Sequence, residues 1–414
     1  MTDDTAAGDP ATALDRGYDL AIVGGGVVGC AAAHALAPDH DVLVVEQGQV
    51  AAAATARAAG EVTMAPSYSD FPQVAAHANE FFRAFDGTRE FTYHPRPSLE
   101  LVQPGRGEVA RRRVERLQGE GLDIAYLEPD TVAEAAPRLR TDEIAGAVRH
   151  GETGFLDPYT FAVTLRAEAE ERGATFLTGT AVESLVVGEN GDDGVDGDAG
   201  TITGLVTEVG AVDADRVLVA AGWRSERFLR GHLEIPVRPY RTQCLVLEPA
   251  DPLTEAFPMG WIPGEHVYFR PELNGDLLVG GWSFAEDQPE AASEQADEAF
   301  RQHVAGLLPR FFDGFDDAGY VDGWAGVDGA TPDTRPIIDA PDAGPANLLV
   351  ATGFHGRGVM TAPVAAALVR SFVTGEGTEL PEQLFALDRF DSTSPAFEFT
   401  SISAGDDDYE GEPE

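Results

Sequence analysis

The residues best suited to chemistry stand near the start of the chain. Gly24-Gly25-Gly26-Val27-Val28-Gly29 fits the spacing G-x-G-x-x-G. It follows a short apolar run, Tyr18 to Val23, and precedes an Ala-rich stretch from Val27 to about Ala37. A second apolar run, Asp41 to Val45, ends in Glu46, 22 residues after Gly24. The order is strand, turn, helix, strand, acid. Gly24 permits a tight turn, Gly26 lets the backbone approach a pyrophosphate, and Gly29 lets helix and strand pack closely. The helix N-terminus around Val28 offers free N–H groups and a positive dipole end to phosphates. A carboxylate at Glu46 accepts hydrogen bonds from ribose hydroxyls and repels a 2′-phosphate. The pattern implies dinucleotide binding and does not separate NAD from FAD.

Further elements must frame this turn. Phe71 to Phe85 has the apolar spacing of an amphipathic helix, and Val109 to Gly119 reads as a charged helix. A helix closing at Glu168 to Arg172 precedes a strand, Thr175 to Leu177. Val182 to Val187 and Ile202 to Val206 read as a hairpin joined by an acidic, glycine-rich loop, Glu189 to Gly200. Asp213 to Ala221 reads as one buried strand, and the tail from Gly405 as disordered. A chain of 414 residues suggests two joined domains.

Composition narrows the function. Acidic residues number 71 against 28 basic, for a net charge of −43, and all the basic residues are arginine. An acidic chain is a poor nucleic-acid binder, because phosphates want a basic face. Acidity without lysine resembles proteins of salt-accumulating halophilic archaea, whose salt screens the self-repulsion. No stretch approaches the ~20 apolar residues that span a bilayer. Met1 to Arg16 carries no signal-peptide pattern, so the expected location is cytoplasmic. Cys30 and Cys244 lie outside any metal-type spacing and read as buried, inert thiols, with no metal expected.

Several later segments, in order, resemble the D-amino-acid oxidase-type flavoprotein family, which includes sarcosine oxidases, glycine oxidase and D-amino-acid dehydrogenases. They are Ala54-Thr55-Ala56-Arg57-Ala58-Ala59-Gly60, His150 to Gly173, Thr180-Ala181-Val182 and Val219-Ala220-Ala221-Gly222-Trp223. Val267-Tyr268-Phe269-Arg270-Pro271, then Gly275 to Gly281, match the family's substrate-domain hairpin. Trp324-Ala325-Gly326, Thr331-Pro332-Asp333 and Gly353-Phe354-His355-Gly356-Arg357-Gly358-Val359-Met360 complete the set.

The resemblance implies an α/β chain (α+β overall) with a Rossmann-like FAD-binding domain and a second, antiparallel-sheet substrate domain. The FAD domain is expected over 1–90, 150–235 and 323–385, and the substrate domain over 91–149 and 236–322. Residues 386–414 form an acidic extension. Arg57, Val182, Gly222, Trp223, Gly353, Gly356, Gly358, Val359 and Met360 join the glycine turn and Glu46 in holding non-covalent FAD.

The implied reaction is hydride transfer to flavin from the α-carbon of a small amine or amino acid, giving an imine. Tyr268, Arg335, Arg357 and His355 are the candidate substrate-facing residues. Tyr240, Arg241 and Gln243 match a segment read as structural. Glycine oxidase-like members carry arginines at positions aligned with Asp328 and Gly356, and this chain does not. The electron acceptor is oxygen or another redox carrier. Two alternatives stay open: a dehydrogenase of a hydroxy acid or polyol phosphate, and a non-catalytic flavoprotein subunit.

Overall fold

A computed structural model describes residues 14–188 and 200–402. The acidic loop, apart from Gly200, and the tail from Gly405 lie outside the described residues. The glycine turn joins β1 (Leu20–Val23) to helix α1 (Val27–Leu36), and the chain returns through β2 (Val42–Glu46). Every residue of β1 is buried. A continuous apolar run of this kind suits a parallel strand covered on both faces.

β1 lies inside a six-stranded sheet. The order is Ile337–Asp339, Leu348–Thr352, Val217–Val219, β1, β2, Thr175–Thr178. All neighbours pair in parallel except Ile337–Asp339, which runs antiparallel at the edge. Helix α1 packs against Pro158–Glu171 and α2 (Gly358–Thr374). Its buried Cys30, Ala31, Ala32 and Ala33 are small enough for close helix approach. Pro158–Glu171 starts on Asp157, whose side chain accepts the Thr160 N–H at 2.6 Å, with Pro158 in the first turn.

The expected single strand Asp213 to Ala221 is corrected. Gly210–Asp213 pairs antiparallel with Thr201–Thr207, and Val217–Val219 enters the parallel sheet. The break falls at Ala214 to Arg216, where Asp215 N–H bonds Tyr18 and the Arg216 carbonyl receives Ala21. The hairpin of Val182–Gly188 with Thr201–Thr207 forms as expected.

The second sheet has eight strands. Their order is Gly319–Ala330, Arg238–Glu248, Leu277–Ala285, Val267–Pro271, Met259–Ile262, Ser98–Val102, Gly146–His150, Ile124–Leu127. Pairing is antiparallel except between Met259–Ile262 and Ser98–Val102. Helix Glu298–Phe311 covers this sheet with Phe300, Val304, Leu307, Leu308 and Phe311. Gly319–Ala330 pairs with Arg238–Glu248 along its length, so position 323 falls within a strand. A short strand, β3 (Glu61–Val62), pairs with Gly154–Leu156.

Candidate active site

A cleft of about 780 Å³ runs from the glycine turn to the inner strands of the eight-stranded sheet. Its first part is shaped by close packing. Gly24 has φ +110°, and a Cβ there would lie 2.5 Å from the Ala220 carbonyl oxygen. A Cβ on Gly29 would lie 2.0 Å from the Gly24 carbonyl oxygen. Both positions demand glycine. Gly26 caps α1 without a side-chain bond, and the Val27 N–H reaches Thr55 Oγ1 at 3.1 Å. The Glu46 carboxylate accepts the N–H groups of Gly25 and Gly48, each at 2.8 Å.

A second helix N-terminus faces the same cleft. Helix α2 begins at Gly358, behind Arg357, again without a side-chain cap. The cleft therefore offers two sets of free N–H groups along one elongated cavity. Gly24, Gly26, Val28, Glu46, Arg57, Val182, Gly222 and Trp223 line it. Gly356, Arg357, Gly358, Val359, Met360, Tyr268 and Arg335 line it too.

Gly29, Gly353 and His355 do not form its wall. Gly353 packs against Thr331, where a Cβ would be 2.5 Å from Cγ2. His355 is fully buried and packs against the rings of Tyr240 and Phe399, with centroids at 5.0 and 5.5 Å. Its ring packs on Tyr240, which lines the cleft, while His355 itself is not among the lining residues. Burial, helped by Arg357, lowers its pKa to about 4, so the ring is neutral at neutral pH.

The expected arginines are engaged. Arg57 pairs with Glu294 at 2.9 Å, and its carbonyl accepts Trp324 Nε1–H at 3.0 Å. Arg357 Nη1 donates to the Thr334 carbonyl at 2.9 Å. The Arg335 guanidinium lies 5.4 Å from the centre of the Phe71 ring. A Cβ on Gly326 would lie 2.6 Å from Arg57 Cβ, so the Arg57 stem needs glycine there. Arg241 and Gln243 both bond Asp297, at 3.0 and 3.2 Å, and hold the start of helix Glu298–Phe311.

Tyr268 sits opposite Gly280 in the sheet, and a Cβ on Gly280 would lie 2.1 Å from Tyr268 Cζ. Glycine at 280 thus makes the space for the ring. The Tyr268 hydroxyl lies 3.5 Å from Cys244 Sγ. Burial first, then Cys244 and Glu61, push the phenol pKa up. Burial raises the Cys244 thiol to about 11.

Wall residues that no sequence motif singled out for the site include Glu61, Tyr240, Asp328 in its present role, and Ile402. Asp328 Oδ2 accepts the Gly356 N–H at 2.8 Å. Burial raises its pKa, against the backbone N–H groups of Gly356 and Gly329. Burial also raises Glu61, to about 8, against the opposing charge of Arg270. The one sequence signal for Glu61 is its place directly after Gly60. Gly60 has φ +75°, and a Cβ there would lie 2.0 Å from the Leu156 carbonyl oxygen.

Known proteins share this architecture. The solved L-proline dehydrogenase from P.horikoshii aligns with a TM-score of 0.81 at 22% identity, covering 91% of this chain and 98% of that one. Glycine oxidase from Geobacillus kaustophilus aligns with a TM-score of 0.79 at 22% identity, covering 91% and 100%. By sequence, the Geobacillus kaustophilus glycine oxidase is 25% identical over 386 residues, 90% of this chain and 97% of that protein. Sarcosine oxidase subunit beta of an Arthrobacter sp is 24% identical over 392 residues, covering 91% and 92%. The bifunctional protein ThiO/ThiG of Trichormus variabilis is 26% identical over 395 residues, 92% of this chain. The chain spans about half of that relative's length, 56%. Residues 19–371 match the family DAO, FAD dependent oxidoreductase. The glycine turn, Glu46 and the two helix ends thus belong to a flavin-dependent enzyme, and the chain is a member of the DAO family of FAD dependent oxidoreductases.

Proposed function

We propose that the protein oxidises a small amine or amino acid at the carbon next to nitrogen, giving an imine. The observation that carries this reading is one continuous cleft. It joins a dinucleotide cradle to a walled pocket at Tyr240, Thr242, Tyr268 and Ser283. The names of its relatives, glycine oxidase and sarcosine oxidase subunit beta, support the substrate class.

The residues present fit FAD. The N-terminus of α1 would hold the pyrophosphate, and Glu46 a ribose. Val182 would meet adenine, and Trp223 would cover the dinucleotide beside Gly222. The N-terminus of α2 would face the isoalloxazine edge. FAD, when bound, supplies the hydride acceptor. Tyr268 supplies a phenolic O–H that stays protonated, and so a hydrogen-bond donor, across the physiological range. Glu61 and Asp328 share the lining of this cleft with Arg57, Arg335 and Arg357.

The division into an FAD domain (1–90, 150–235 and 323–385) and a substrate domain (91–149 and 236–322) is part of the proposal. The pairing of Gly319–Ala330 with Arg238–Glu248 favours moving the boundary at 323 to follow Ala330.

Anaerobic visible absorption of the purified protein in molar KCl tests this function. The titrants are sarcosine, dimethylglycine, glycine, proline and D-amino acids. Loss of the oxidised-flavin band with one of them supports amine oxidation, and admitting air then tests oxygen as acceptor. A bound flavin that no amine bleaches would overturn the reading, with hydroxy acids the next substrates to try.

A further inference from the structure

We propose that Glu61 is the base that takes the proton from the substrate's ammonium group before hydride leaves the adjacent carbon. This rests on the amine-oxidising reading above. The carboxylate stands on β3 and lines the same cleft as Tyr268, Thr242 and Ser283. Its Oε1 is buried and has no hydrogen-bond partner among the described residues. Buried carboxylate oxygens are almost always satisfied, so an acceptor left open in a ligand cleft points to a donor that arrives with the ligand.

The groups around it leave this role to Glu61. Arg270 acts on it electrostatically, but Arg270 Nε donates to the Ala59 carbonyl and Nη2 pairs with Glu272 at 3.1 Å. Tyr268 and Cys244 face the same region and hold each other at 3.5 Å. Asp328 already accepts the Gly356 N–H. His355 does not line the cleft.

Acidity suits the task as well. A carboxylate at its ordinary value of 4.5 is far too weak to deprotonate an aliphatic ammonium, and burial brings Glu61 to about 8. In the transfer, one N–H bond breaks and its electron pair stays on nitrogen as the lone pair. The proton bonds to a Glu61 oxygen. A cation and an anion become two neutral groups, a change that a poorly solvated cleft favours. The freed lone pair then assists departure of hydride from the neighbouring carbon, and water later hydrolyses the imine.

The test uses the holoenzyme and two readouts. Infrared difference titration should show a carboxylic-acid carbonyl band lost with a midpoint near 8 in the wild type, and no such band in Glu61→Gln. Rapid-mixing flavin reduction by an amine should rise with pH through the same midpoint. Glu61→Gln should slow it by about 10²–10⁴-fold, with a rate that then follows the amine's own ionisation, and Glu61→Asp should restore part of it. Wild-type rates and midpoint in Glu61→Gln would overturn the proposal, as would a Glu61 band that titrates in the ordinary carboxylate range. If Glu61→Gln does not fold, the wild-type infrared titration and Glu61→Asp still decide. If no amine bleaches the wild-type flavin, the amine reading itself fails, whatever the infrared titration shows, and this proposal fails with it.

Discussion

His355 Nε2 lies 2.8 Å from the carbonyl oxygen of Thr400. A histidine in the last glycine-rich turn is thereby tied to a segment 45 residues further along. Phe399 stacks on both His355 and Tyr240, at 5.5 and 5.2 Å, and Ile402 reaches the cleft. Phe399→Ala should destabilise the protein by about 1–2 kcal/mol through lost ring contacts. It should also raise the His355 pKa from about 4 towards 6.5, because burial is the main cause of the depression. NMR titration of the imidazole measures this. An unmoved His355 would mean the segment does not bury it.

The sign for His355 follows from linkage. Its folded pKa lies below the unfolded value, so the unfolded chain binds more protons between about 4 and 6.5. Stability from this residue is present above that window and is lost as pH falls through it. Acid denaturation of His355→Gln should lack that component.

Glu61 has the opposite sign to a salt-bridged carboxylate. Its folded pKa is raised, so the folded state binds more protons between 4.5 and about 8. Stability declines as pH rises through that window. Above pH 8, Glu61→Gln should be more stable than the wild type, while near pH 4 the two should converge. Urea denaturation at both pH values measures the difference, and a gap that does not change with pH would contradict the raised pKa.

Glu46→Gln should weaken FAD binding by about 10–100-fold, since each charge-assisted hydrogen bond contributes about 1.5–3 kcal/mol. The carboxylate also holds Gly25 and Gly48, so the glycine turn should loosen with it. Flavin fluorescence on dilution reports dissociation directly.

Gly60→Ala should cost upwards of about 1 kcal/mol, from a positive φ and a contact with Leu156. It should also slow flavin reduction, because the shift needed to relieve the Leu156 contact falls on the residue next to Glu61. Comparing its thermal midpoint with its reduction rate separates the two effects.

A net charge of −43 should make stability depend on salt. The thermal midpoint should climb with KCl and change much less with a neutral osmolyte. Screening lengths fall from about 30 Å at 0.01 M to about 3 Å at 1 M, so the rise should continue into molar salt.

Local patterns in the sequence determined the glycine turn, Glu46, the hairpin of Val182–Gly188 with Thr201–Thr207, and the helices Val27–Leu36, Pro72–Phe85, Gly107–Gly119 and Pro158–Glu171. These signals act over a few residues: an apolar period, a glycine where a Cβ cannot fit, a proline opening a helix. The break after Asp213 was hidden because an apolar run does not say which sheet each part joins. Tertiary structure decided the pocket wall. Glu61, Tyr240, Asp328 and Ile402 come from four separated segments, and no period or motif links them. It also decided their chemistry. The same carboxyl group is an ordinary acid in water and a base near pH 8 in the cleft, because removing water penalises its charge. His355 shows the converse. Its motif placed it beside the cofactor site, but packing on Tyr240 and Phe399, distant in sequence, buries the ring and lowers its pKa.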